Sequence, residues 1–201
     1  MSGFGSLRAP SYCVAALLFS TSAMCSPGMG VGSVPDGALP GVTGLSGRVL
    51  TVDGLPLGNV VLTDGRMSRG RTDADGRFLL EFVPEGKSVL RIDGRHGGAD
   101  GSVDYGTYEV QVRAVPGVVT PLPFTSWLTP IDHANDIQIA SPTMRETVVT
   151  SPRLPGFQMI IPAGTILTDW DGKRINRISL TPVRADRPPF PLPRVRRVLR
   201  G

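Results

Sequence analysis

The chain has 201 residues, 40% of them hydrophobic, enough to bury one or two small cores. Gly 25 and Pro 19 together exceed a fifth of the chain, against an ordinary usage of about 12%, yet no triplet period runs through them, which excludes a collagen and suits tight turns between short strands. The net charge of +4 is carried by the end of the chain: Arg194, Arg196, Arg197 and Arg200 lie in the last eight residues, and without them the 21 basic residues fall to 17, equal to the 17 acids. The folded part is therefore balanced, no basic face is expected, and nucleic acid is not an expected partner.

Residues 1–25 have the layout of a secretory signal peptide. Arg8 and the amino terminus supply positive charge, and the apolar run Tyr12 to Phe19 is too short to cross a hydrocarbon core of about 30 Å, so no stable membrane span is expected. Small residues from Ser20 to Ala23 follow, and cleavage after Ala23 or after Cys25 fits equally. Export predicts a secreted or cell-surface protein. Lipid anchoring at Cys25 is a weaker alternative, because Met24 spoils the small-residue box before the cysteine. A misplaced start is the bland reading. Both cysteines, Cys13 and Cys25, fall in this segment, so no disulfide is expected to hold the mature fold. Residues 26–43 are rich in Gly, Pro and Ser and read as a flexible linker.

From Leu45 to Gly94, aliphatic and β-branched runs alternate with the turn signals Asp53-Gly54, Gly58-Asn59, Asp64-Gly65, Asp75-Gly76 and Pro84-Glu85-Gly86. Strand-length runs punctuated in this way predict an antiparallel β-sandwich, and no window holds a helical stripe clear of Gly and Pro. The two-residue period predicts a core of Val49, Leu57, Val60, Leu62, Phe78, Leu80, Val83, Leu90 and Ile92. Tyr105 to Val112 alternates again, with Tyr108, Val110 and Val112 on one face, and Val118 to Phe124 with Trp127-Leu128 complete the domain.

The run Gly47-x-Val49, Asp53-Gly54-x-Pro56-Leu57-x-Asn59-Val60, Thr72-Asp73-Ala74-Asp75-Gly76-Arg77-Phe78, Pro84-x-Gly86 and Leu90 resembles the carboxypeptidase regulatory-like domain. The resemblance implies a transthyretin-like antiparallel β-sandwich over residues 44–130, a non-catalytic module found in many secreted bacterial proteins. Its shared residues are turn and core residues, so it speaks to fold more than to function.

Asp73, Asp75 and Gly76 open like a calcium loop, but the positions beyond are apolar and Glu81 is the nearest acid. A hairpin turn needing positive φ is the preferred reading, and no metal is expected. His96 sits among glycines without a second histidine or thiol nearby, and reads as a solvated loop residue.

The polar stretch Pro130 to Asp136 marks a boundary, and residues 131–186 read as a smaller β-rich module. Strand candidates are 137–139, 146–150, 157–161, 165–167 and 175–183, with a second hairpin turn at Asp171-Gly172. The phrase Pro155-Gly156-Phe157-x-Met159-x-Ile161-Pro162-Ala163-Gly164-Thr165, with Asp186 to Pro193, is similar to a segment that follows the first domain in large secreted bacterial proteins, some with Rhs-type repeats. That resemblance implies an N-terminal piece of a larger protein. Residues 187–201 read as a Pro-rich and basic tail, extended rather than packed, so both ends of the chain are expected to be disordered.

Catalysis needs convergent groups of matched pKa, and the chain offers two distant histidines, no phosphate-cradling loop and no nucleophile elbow. The acid pairs Asp73/Asp75 and Asp169/Asp171 are expected in solvated turns. No catalytic residue and no cofactor is expected. The leading reading is a non-catalytic structural or interaction module of an exported bacterial surface or secreted protein, its partner an unknown protein or cell-surface glycan. The alternative is a carbohydrate-binding module of starch-binding-like type, stacking sugars on exposed aromatics: Trp170 at a hairpin tip, Trp127, and then Tyr105 and Tyr108. For Trp127 the competing reading is a core or domain-junction residue.

Overall fold

The computed structural model describes residues 38–65, 68–98, 101–169 and 172–192, together with a two-residue strand, β1 (Leu7–Arg8). The rest of the expected export signal, both cysteines, most of the expected linker and the basic end of the tail lie outside the described residues. Among the described residues every regular element is a strand except one 3-10 turn, His133–Asn135. The chain is all-β, as its turn spacing predicts.

The first module is a sandwich. Its strands are β2 (Gly44–Thr51), β3 (Val61–Thr63), β4 (Arg69–Arg71), β5 (Arg77–Glu81), β6 (Gly86–Asp93), β7 (Thr107–Ala114), β8 (Val119–Pro121) and β9 (Ser126–Leu128). One sheet has the order β5-β2-β8, with β9 also on β2; the other runs β4-β3-β6-β7. Sheet two is antiparallel throughout. β2 pairs antiparallel with β5 but parallel with β8 and β9, so its sheet is mixed. Parallel neighbours need a long crossover, and the chain between β2 and β8 supplies it, with β3, β4, β6 and β7 building the opposite sheet.

All nine residues of the predicted core are buried in one cluster between these sheets, with Leu45, Tyr105, Tyr108, Val112, Ala114, Leu122 and Leu128 added. Each large apolar side chain closed off in this way contributes about 1.5–3 kcal/mol. Gly47 lies opposite Phe78, and a Cβ there would meet the Phe78 ring at 2.8 Å, so the glycine makes room for the ring.

The turn before β5 depends on Asp73 and Gly76. Asp73 Oδ1 accepts from the N–H groups of Asp75 and Arg77 at 2.9 and 2.8 Å. Gly76 holds φ +70, and a Cβ there would lie 2.2 Å from the carbonyl oxygen of Val49. Asp75-Gly76 is thus a tight turn but not the expected hairpin, since it carries the chain from β4 in one sheet to β5 in the other, and the Asp73 carboxylate is occupied by backbone donors.

The second module has β10 (Ile137–Gln138), β11 (Thr147–Ser151), β12 (Leu154–Ile161), β13 (Leu167–Thr168) and β14 (Arg177–Ile178). They form three two-stranded sheets: β11 with β12, β10 with β14, and β1 with β13. A separate core of Ile139, Val149, Leu154, Ile161, Leu167, Ile178 and Leu180 fills it.

The expectation that the Pro-rich run stays unpacked does not hold for residues 187–192. Phe190 packs on the sandwich core, with its ring centroid 6.1 Å from that of Tyr108. Pro188 accepts from the Trp127 N–H at 3.3 Å, and the Arg187 guanidinium donates to the Val52 carbonyl at 2.6 Å. Proline stiffness keeps the strap extended, and one aromatic anchor is enough to lay it down.

Candidate functional site

The aromatic candidates land in unequal surroundings. Trp127 is half-buried on β9, with Arg187 stacked 5.0 Å from its ring centroid, so one face of the indole belongs to the strap. Its partners, Arg187 and Pro188, both belong to the strap. Tyr105 and Tyr108 do not offer stacking faces: both are buried in the sandwich core, and burial pushes the Tyr108 hydroxyl up to about 12. Period-two alternation put Tyr108 on the same face as Val112, and that face is the inner one. Trp170 and Asp171 lie outside the described residues. Asp169, expected in solvent, is buried and accepts the Lys173 N–H at 2.8 Å.

The aromatic most exposed on the sandwich is one the sequence did not single out. Phe82, between β5 and β6, is 69% exposed and holds φ +59. Positive φ is a genuine outlier for a bulky side chain, costs of order 1–3 kcal/mol, and persists only where the surroundings impose it. Here the Ser68 hydroxyl donates to the Phe82 carbonyl at 2.7 Å, while the Ser68 N–H donates to Asp64 Oδ1 at 3.1 Å. The turn signal at Pro84 was legible; which residue takes the strained dihedral was not.

Asp64 also lines a groove of about 440 Å³ that begins two residues beyond Phe82, at Pro84. Glu85, Lys87, Ser88 and Gln111 complete its polar wall, and Val89 its apolar one. The Ser88 hydroxyl is buried with no hydrogen-bond partner among the described residues. Carboxylate acceptors, an ammonium donor, a hydroxyl and an amide in one groove match the mixed donor and acceptor pattern of a polyol.

A basic surface is also present where a balanced composition argued against one. In sheet two Leu62, Leu90, Ile92, Tyr108 and Val112 point inward, so their strand neighbours face out. Register sets Arg69, Thr63, Arg91 and Glu109 in one row and Lys87 directly opposite Arg113 in another. Arg71 lies two residues below Arg69. Composition counts charges over the whole chain, whereas strand alternation sorts them by face, which is why the overall balance hid this stripe.

The two modules meet at a polar joint. Asp132 accepts from the Asn135 amide at 2.8 Å and from Arg153 at 3.2 Å; the amide, with Arg153 and His133 adding to it, holds the carboxyl below its ordinary value against the opposing effect of burial. The backbone of the same residue accepts from the Ser179 hydroxyl and donates to that of Thr181, both at 3.0 Å. His133 stands between Asp104 of the sandwich, 3.2 Å from Nε2, and Asp136, 3.4 Å from Nδ1.

No protein family and no curated protein matches this chain. Among solved structures, the Bacillus anthracis TIE protein aligns at 12% identity with a TM-score of 0.31, covering 72% of this chain. The aligned part spans 34% of that structure, about a third of its length.

Proposed function

We propose that this chain is a non-catalytic structural or interaction module of an exported bacterial surface or secreted protein. The observation that carries the reading is how the acids are used. Asp73 and Asp169 cap turns, Asp93 is clamped by Arg95 and Thr107, Asp132 is held within the second module by Asn135 and Arg153, and Asp104 of the sandwich meets His133 of the second module. Carboxylates held by backbone and arginine donors serve the architecture, and a body fastened by a joint and a strap suits a spacer that presents surfaces. The test is surface labelling of intact cells with a membrane-impermeant reagent, followed by fractionation. Labelled protein in the surface or secreted fraction is expected; protein confined to the cytosol would overturn the reading.

A second reading, carbohydrate binding, draws on Phe82 and the groove that begins beside it rather than on Trp127. Retention on a polysaccharide column that Phe82→Ala abolishes is its expected signature, and equal retention of the variant would remove Phe82 from it.

A further inference from the structure

Resting on the carbohydrate-binding reading, we propose that the outer face of sheet two binds an acidic polysaccharide along the stripe Arg71, Arg69, Arg91, Lys87 and Arg113. The stripe runs diagonally from the β4 edge to the far end of β7. By strand geometry the Cα atoms of Arg69 and Arg71 are about 7 Å apart, Arg69 and Arg91 about 10 Å apart, and Lys87 and Arg113 about 5 Å apart. No ion pair to a carboxylate engages Arg69, Arg71, Lys87 or Arg113 among the described residues. All four of those side chains are exposed.

The Lys87–Arg113 pair is informative because the fold gains nothing from it. Like charges directly opposite on a sheet are destabilising, and departures from local rules concentrate where a ligand compensates them. Of the acids on this face, Asp93 is held by Arg95 at 2.7 Å and by the Thr107 hydroxyl, and its carboxyl stays below the ordinary value although burial alone would raise it. Glu109 faces Arg91 to one side of the stripe, and Asp64 and Glu85 line the groove at its upper end.

That arrangement selects among polyanions. The cations form a single file, and the flanking carboxylates would repel the second phosphate strand of a duplex. No outward position of the four strands is aromatic, so unpaired bases find no stacking platform there. A single extended polymer with one anionic group per few ångströms fits the file, and the groove beside Lys87 offers partners for sugar hydroxyls.

The test uses the full chain with polygalacturonate as probe and dextran and a short duplex DNA as comparators. Polygalacturonate is expected to bind, more weakly as salt rises, and the double variants R69Q/R71Q and K87Q/R113Q are each expected to lose roughly tenfold in affinity at low salt. The four side chains are exposed, and a melting curve verifies folding; either pair decides the matter if the other is unstable. Equal binding of dextran and polygalacturonate, unmoved by the variants, would overturn the acidic class and leave the carbohydrate reading standing. Tighter, equally variant-sensitive binding of duplex DNA would overturn the choice of polymer. Binding of none of the three would end both readings.

Discussion

In the sandwich β6 and β7 pair over eight consecutive residues, from Gly86 opposite Ala114 to Asp93 opposite Thr107, whereas in the second module β10 with β14, and β1 with β13, pair over only two. The backbone groups that lack ladder partners there are met by side-chain hydroxyls. Thr143 Oγ1 donates to the Pro162 carbonyl at 2.6 Å and accepts from the Thr165 N–H at 2.9 Å, and Ser141 Oγ accepts from the Leu167 N–H at 2.9 Å. A ladder is made by any residue that is not proline; a hydroxyl clasp is made only by Ser or Thr. The sandwich carries such a clasp at Thr72, which donates to the Leu57 carbonyl and accepts from the Val60 N–H; elsewhere it should tolerate changes of surface residue and fail by cavities and backbone clashes, while the second module should fail when single hydroxyls are removed.

The largest expected break is Leu90→Ala, which empties a fully buried position between the sheets and should cost about 2–5 kcal/mol in denaturant unfolding. Gly76→Ala comes next, at roughly 2–3 kcal/mol, because its Cβ would collide with the Val49 carbonyl at a positive φ. A variant as stable as the parent would show that the turn can move. In the second module Thr143→Val should cost about 1–3 kcal/mol by leaving the buried Thr165 N–H unmatched, the Pro162 carbonyl keeping the Thr165 hydroxyl, while Thr63→Val on the open face of sheet two, where the exposed Gly65 N–H can turn to water, should stay within about 0.5 kcal/mol. Equal costs would erase the distinction between ladder and clasp.

The smallest effect is electrostatic. Arg95 and Thr107 hold the Asp93 carboxyl below its ordinary value against the effect of burial. A depressed carboxyl contributes stability above its unfolded pKa, near 3.9, and loses it as pH falls through the lower folded value. Arg95→Gln should thus lower the melting temperature by a degree or two at pH 6, with the gap to the parent closing below about pH 4. A gap that does not change with pH would assign Arg95 a packing role only.

The first core was readable because six of its nine predicted members, Val49, Leu62, Phe78, Leu80, Leu90 and Ile92, lie on strands, and Leu57, Val60 and Val83 lie in the connections beside them. The candidate site was far less readable. Phe82 gives no sign in the sequence of its positive φ, since the dihedral is imposed by Ser68 and by the route into β6. Tyr105 and Tyr108 looked like platforms because an aromatic in an alternating strand is ambiguous until the inner face is known.

By itself the sequence determined the all-β class, the turns and the inner face of the first module, because those follow from local sterics and a two-residue period. Only the tertiary structure decided that the Pro-rich strap lies on the sandwich, that Trp127 shares a face with Arg187, and that cations from β4, β6 and β7 line up on one surface. Those outcomes depend on strand order and register, which bring together residues far apart in the chain.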